Sequence, residues 1–143
     1  MQRIDKFFKL PLFAVVGASS NREKFGNKVL RCYLEYSRKA IPISKTQANI
    51  EGLDCIESLT ALKASFSNID PAKIGVSIVT SPHVTKEVLQ EGIQLGYRHF
   101  FLQPGTTDAS VEDLIISEKK RFSDLDIIED CVLMNLPNYA NDA

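Results

Sequence analysis

The chain is poor in the residues that hold metals or build disulfide frameworks. It has three cysteines, Cys32, Cys55 and Cys131, odd in number, far apart and without a C-x-x-C spacing. That usage suits free thiols in a reducing compartment, and a cytoplasmic location is expected. The only histidines are His83 and His99, and no Cys/His spacing resembles a zinc site. No apolar run approaches the ~18 residues of a membrane span. The first residues, Met1 to Leu10, hold no apolar h-region and carry Asp5, so a secretory signal is not expected. Arg3, Lys6 and Lys9 there hint at organelle import, but a short solvated lead-in is the simpler reading. Internal repeats, low-complexity tracts and linkers are missing too. With 143 residues, 44% of them hydrophobic, one globular domain over 1–143 is expected, with its core over about 10–135 and a polar tail over 138–143.

The net charge of −1 hides an asymmetry. Residues 1–45 hold ten Lys/Arg against three Asp/Glu, and residues 46–143 hold seven against fifteen. A localised positive field favours a multiply charged anion. No basic-aromatic stripe is present, so a nucleic acid is not the expected partner.

The basic half contains the stretch that organises the chain. Leu12 to Val16 is a short apolar run with β-branched residues, and reads as a buried strand. Gly17 ends it, and the small polar residues Ala18, Ser19, Ser20 and Asn21 follow. From Phe25 the period becomes helical, with Phe25, Val29, Tyr33 and Tyr36 on one face. Strand, glycine turn, small-residue loop and helix make the start of a nucleotide-binding βαβ unit. Small side chains let a diphosphate approach the backbone, and free N–H groups at the helix start donate to it. The full G-x-G-x-x-G fingerprint is absent: position 19 is Ser19, and the next glycine is Gly26. An ordinary strand-to-helix turn, with its glycine serving geometry alone, therefore stays open.

A second strand is expected over 39–43, with Pro42 marking its end. NAD sites place Asp or Glu about 20 residues past the glycine loop to hold the ribose. Here Ser44, Lys45 and Thr46 stand instead. That counts against NAD and for a nucleotide with an extra ribose phosphate, such as NADP or coenzyme A. A turn at 50–53 and a short helix over 58–66 come next. A third strand over 74–79, a helix ending at Gly96, and a fourth strand over 97–102 follow. The turn Gln103-Pro104-Gly105-Thr106 leads to a helix capped by Thr107 or Asp108, then to a fifth strand over 125–128. Strands alternating with helices predict an α/β fold, a three-layer Rossmann-like doubly wound parallel sheet of about five strands in the order 3-2-1-4-5.

These residues resemble the small single-domain CoA-binding proteins, whose fold is similar to the nucleotide-binding domain of succinyl-CoA ligase alpha subunits. The resemblance covers about residues 10–135. It rests on Ala14-Val-Val-Gly-Ala-Ser19 with Asn21, Ile41-Pro-Ile43, Ile50-Glu-Gly52 with Ser58-Leu59, Phe101-Leu-Gln-Pro-Gly105 and Glu129-Asp-Cys131. It implies a site for coenzyme A or an acyl-CoA across the strand ends. The backbone of Gly17, Ala18, Ser19, Ser20 and Asn21 and the helix start at Lys24, Phe25 and Gly26 would hold the pyrophosphate. Pro42, Ser44 and Lys45 would lie by the adenosine and its 3′-phosphate. Thr80, Ser81 and Pro82 would line the adenine or pantetheine path, with Gln103, Pro104 and Gly105 as the far wall. Many members read Val-Asn-Pro where this chain reads Ile43-Ser44-Lys45, which leaves Lys45 as a substitute phosphate partner.

No nucleophile, base and orienting group occur as a set. His83 is a candidate general base in a site-facing loop, or an exposed residue of a helix start. Cys131 is a candidate for approaching a thioester, or a buried inert thiol. Glu129 and Asp130 are a candidate acid–base pair, or a solvated turn. Non-catalytic binding of coenzyme A is the expected function. A small NADP-dependent oxidoreductase and an acyl-CoA enzyme using Cys131 or His83 are the alternatives. The expected partner is a nucleotide, not a nucleic acid or a membrane; a protein partner or a second copy stays open.

Overall fold

A computed structural model describes residues 2–142. The elements in chain order are α1 (Gln2–Phe8), β1 (Leu12–Val16), α2 (Phe25–Glu35), β2 (Ala40–Ile43), β3 (Asn49–Ile50), β4 (Leu53–Asp54), α3 (Leu59–Ser65), β5 (Ile74–Ile78), α4 (Pro82–Leu95), β6 (His99–Leu102), α5 (Ala109–Arg121), β7 (Asp126–Glu129) and α6 (Val132–Asn135). Short 3-10 turns follow at Pro71–Lys73 and Leu136–Asp142.

β1 is buried along its whole length, as its apolar run dictates. Successive side chains enter opposite cores because a strand alternates its faces. Leu12, Ala14 and Val16 join Leu59 and Leu62 of α3, Leu89 and Ile93 of α4, and Val111 and Ile115 of α5. Phe13 and Val15 join Phe7 and Phe8 of α1, Val29, Leu30 and Tyr33 of α2, and Val132 of α6. The sheet therefore lies between two helical layers. Its second face is aromatic: Phe13 stacks on Tyr33 at 4.6 Å between ring centroids, and Phe7 lies 5.2 Å from Phe101. Gly75, in the middle of β5, makes room for this cluster, since a Cβ there would meet the Phe13 and Phe7 rings at 2.8 Å. The Tyr33 hydroxyl shares a hydrogen bond with Ser77 of β5 inside the core.

The fold class is the expected one, a parallel α/β sheet of five strands covered on both faces. The strand order is not. The third strand of the sheet, β5, was expected outside β2; it pairs instead with β1, giving β2-β1-β5-β6-β7. Pro42 supplies the reason. It sits within β2, paired with Val15, and not at the strand's end. Proline has no N–H for a second neighbour, so β2 belongs at the sheet's edge. Beyond it, among the described residues, lies an isolated bridge, Ile43 to Ile56, with the Pro42 carbonyl accepting from Ile56 N–H. β5 is buried throughout and takes a central place.

Three further expectations change. The lead-in is no solvated tail: α1 buries Phe7 and Phe8 against the sheet. The 136–142 turn seats Tyr139 against Phe8, 5.8 Å between centroids, so an aromatic contact falls within the stretch expected as a polar tail. Phe25 leaves the buried face of α2 and is 54% exposed at the helix's first position.

Candidate functional site

In a parallel sheet the loops after the strands gather at the carboxyl ends, and ligands bind in the crevice there. A cleft of about 430 Å³ lies at that edge. Val16, Gly17 and Ala18 form its floor, with Ile43, Ser44, Lys45 and Thr46 from the β2 end on one side. Glu57, Ser58 and Leu59 at the start of α3 face Thr80, Val84, Glu87, Val88 and Glu91 from the β5 end and α4. Its size lies within the range of small-molecule sites.

The glycines of the first loop set its shape. Gly17 has φ of +93°, and a Cβ there would meet the Val79 carbonyl oxygen at 2.5 Å. Gly26 faces back onto the same loop, where a Cβ would overlap the Gly17 carbonyl oxygen. Gly26 thus lets α2 close against the end of β1, a packing role that the fingerprint shares between helix and strand. Between them the loop folds on its own side chains. Ser19 Oγ accepts from Asn21 N–H at 3.0 Å, and Asn21 Oδ1 accepts from Glu23 N–H at 3.0 Å. The fully buried Asn27 donates to the Ser19 carbonyl at 2.9 Å and pins the loop to α2.

The helix starts divide into two kinds. α3 and α5 are capped by their own side chains: Ser58 Oγ accepts from Ala61 N–H, and Asp108 Oδ1 from Val111 N–H. α2 and α4, which begin at the cleft edge behind Lys24 and Ser81, have no side-chain cap. Their first-turn amides keep the positive end of the helix dipole open to an anion.

Of the sequence-predicted residues, Gly17, Ala18, Ser44, Lys45 and Thr80 line the cleft. Ser19, Ser20, Asn21, Lys24, Phe25 and Gly26 form the adjoining loop and helix start. Lys24, Phe25, Ser20 and Asn21 are exposed and Gly26 is buried. Pro42 is buried in β2, away from the cleft. Ser81 is exposed, and Pro82 faces a separate surface hollow with His83 and Asp108. Gln103 does not line the cleft. It is buried, its Oε1 accepts from Val132 N–H at 2.6 Å and its Nε2 donates to Cys131 Sγ at 3.3 Å, so its amide is spent on closing α6 onto the sheet. Pro104 and Gly105 form an exposed tight turn, with Thr106 N–H donating to the Gln103 carbonyl. Sequence reasoning missed the α3–α4 wall. Val84, Val88 and Glu91 recur at helical spacing on one face of α4, which was a readable signal. Asn27, which pins the loop to α2, had no signal in the sequence.

The candidate catalytic groups stand apart from the cleft. The His83 side chain is 86% exposed and approaches only Glu87, at 3.8 Å. Cys131 is held by Gln103, and Asp130 Oδ1 accepts from Cys131 N–H at 2.7 Å. Burial, then the nearby Glu35 and Cys131, push the Cys32 thiol up to about 11. Burial and then the neighbouring Glu112 carboxyl raise the Glu129 carboxyl above its ordinary value. His99 is half-buried, its Nδ1 has no partner, and burial lowers its basicity. Among the described residues, no group of three or more His, Cys, Asp or Glu side chains could hold a metal ion, and no helix is long and apolar enough to cross a membrane.

A loop-and-cleft site of this kind on a parallel sheet fits many nucleotides. The model of the CoA binding domain matches residues 12–137. The chain belongs to that family. Family membership supports coenzyme A as the small molecule it binds. No curated protein matches significantly. Solved structures do. A conserved hypothetical protein from Pyrococcus furiosus is 25% identical, with 82% of this chain and 90% of that one covered and a TM-score of 0.69. A Thermus thermophilus protein is 18% identical, covers 96% of both chains and has a TM-score of 0.75. A hypothetical protein from Pyrococcus horikoshii is 23% identical over 90% of this chain and 82% of that one, with a TM-score of 0.69. The last two likenesses speak for the fold alone.

Proposed function

We propose that the chain binds coenzyme A, or an acyl-CoA, at the strand-end cleft and performs no chemistry on it. The donor set fits that ligand. The diphosphate belongs on the Gly17–Gly26 loop, where the uncapped start of α2 and the exposed Lys24 offer amides and positive charge. The nucleoside belongs in the cleft beside it. Among the described residues, Lys45 is the only basic side chain lining the cleft, and it is exposed. It is the partner for a phosphate on the ribose, and no carboxylate stands at that turn to favour an unphosphorylated ribose. Glu57, Glu87 and Glu91 make the α3–α4 wall acidic, which keeps phosphates on the opposite side and offers acceptors to amino and hydroxyl groups. The observation that carries the reading is the match of the CoA binding domain across residues 12–137 of a chain with this loop and cleft.

The candidate groups support the absence of turnover. His83 is solvated, Cys131 is tied to Gln103, and the Glu129 carboxyl is raised by burial and by the neighbouring Glu112. None of them lines the cleft. Thermal unfolding with coenzyme A, dephospho-CoA, NADP and NAD tests the reading. A ligand at 100 times its Kd adds ~2.7 kcal/mol to the folded state. Coenzyme A should raise Tm most and dephospho-CoA less, with NAD and NADP giving no comparable shift. A shift with NADP alone would move the chain to a reductase reading.

A further inference from the structure

Two donors of the Gly17–Gly26 loop, the Ser20 amide and the Arg22 guanidinium, are already engaged by the segment that follows β2. Ser20 N–H, in the middle of the loop, donates to Gln47 Oε1 at 3.1 Å. Gln47 is aimed there by a turn in which Ser44 Oγ accepts from Thr46 N–H and Gln47 N–H at 3.3 and 3.2 Å. Arg22, the basic side chain at the loop's crest, places Nε 3.4 Å from Glu51 Oε2. The same carboxylate oxygen accepts from Asn27 Nδ2 at 3.0 Å. Arg31 closes the ring, donating to Asn27 Oδ1 at 2.6 Å and to the Arg22 carbonyl at 2.9 Å. Glu51 and Gln47 therefore present oxygen atoms to the loop as a bound phosphate does.

The hairpin backbone adds an independent observation. β3 and β4 are joined by Glu51 and Gly52, with φ of +50° and +78°. A two-residue turn of this form favours Asn, Asp or Gly at its first position, where a longer side chain is strained. Glutamate occupies it here. The turn spends local strain to hold a carboxylate against Arg22 and Asn27.

We propose that Gln47 and Glu51 are internal stand-ins for the ligand's phosphates and set the affinity of the site. The proposal rests on the coenzyme A reading above. In the free protein they keep the loop donors satisfied and its conformation fixed. On binding, Arg22 exchanges one oxyanion for another, and the Ser20 amide exchanges Gln47 for a phosphate oxygen. Asn27 stays anchored on Ser19 and Arg31 throughout, so the loop keeps its shape while the hairpin lets go.

The test is calorimetric titration of coenzyme A into the full chain, its Glu51→Gln variant and its Gln47→Ala variant, with unfolding of each ligand-free protein alongside. Glu51→Gln keeps an acceptor for Asn27 and removes the charge. It should tighten binding about fivefold, the scale of a half-exposed ion pair, while lowering ligand-free Tm. Gln47→Ala frees Ser20 and should tighten binding in the same direction, by about twofold to fivefold. Opposite movement of affinity and ligand-free stability is the signature, because a merely structural pair would lower both. Unchanged or weaker binding in both variants, with the wild type binding, overturns the stand-in role. No binding by the wild type or by either variant overturns the coenzyme A reading itself. Binding that appears only in the variants supports the stand-in role outright.

Discussion

Gly26→Ala puts the loop geometry to a quantitative test. The new Cβ would overlap the Gly17 carbonyl oxygen and also meet Ala18 Cα at 3.3 Å. Both neighbours are backbone, one of them in a residue already at φ of +93°, so neither can rotate away as a side chain would. α2 must tilt off the end of β1. Overpacking of this kind costs up to ~3 kcal/mol. Alanine recovers at most ~1 kcal/mol of helix propensity at this position. The net loss is ~2 kcal/mol, or ~6 °C in Tm for a chain of this size. Gly52→Ala is the control. Its φ is +78° but a Cβ there meets nothing within 4 Å, so it carries only the left-handed backbone cost of ~1 kcal/mol. Thermal unfolding by circular dichroism measures both. A Gly26→Ala protein as stable as the wild type, or less perturbed than Gly52→Ala, would refute the close helix–strand contact.

Two more outcomes follow from buried polar groups. Tyr33→Phe strands the Ser77 hydroxyl within the central strand and should cost ~1–3 kcal/mol in denaturant unfolding, with Tyr33→Phe/Ser77→Ala recovering part of it. His99 has a folded-state basicity below its unfolded value of 6.5, mainly through burial and against the opposing pull of Asp126. The unfolded chain therefore binds more protons below pH 6.5, and stability should fall as pH drops from 6.5 towards 5. His99→Gln should flatten that slope in unfolding curves taken at pH 7.5 and 5.5, and an unchanged slope would remove His99 as its source.

Much of the fold was legible because its signals are local. The apolar run Leu12–Val16, the cap at Ser58, Gly96 in the left-handed region and the Asp108 cap all lie where the residue types place them. Strand order was not local. It turned on one proline that cannot serve a central strand, and that consequence appears only when β5 can pair either outside β2 or on the free side of β1. The site divides the same way. Gly17, Ser44, Lys45 and Thr80 follow directly after strands, so topology alone brings them to one edge. Gln103 also follows a strand, but its amide reaches α6, a contact between residues 29 apart that no spacing reveals. Phe25 had helical periodicity in its favour and lost to its position at the helix's first turn. Gln47 and Glu51 reach the loop through a turn and a hairpin, and long-range polar contacts of this type leave no periodic trace.

Amide chemical-shift mapping during a coenzyme A titration locates the binding site residue by residue. The perturbed amides are expected to concentrate at Gly17–Ser20, Phe25 and Gly26, Ser44–Thr46 and Thr80, with a second group at Gln47 and Glu51 as the hairpin lets go. Perturbations confined to the α4–α5 groove around Gln90 and Phe122, or no perturbation at all, would contradict it.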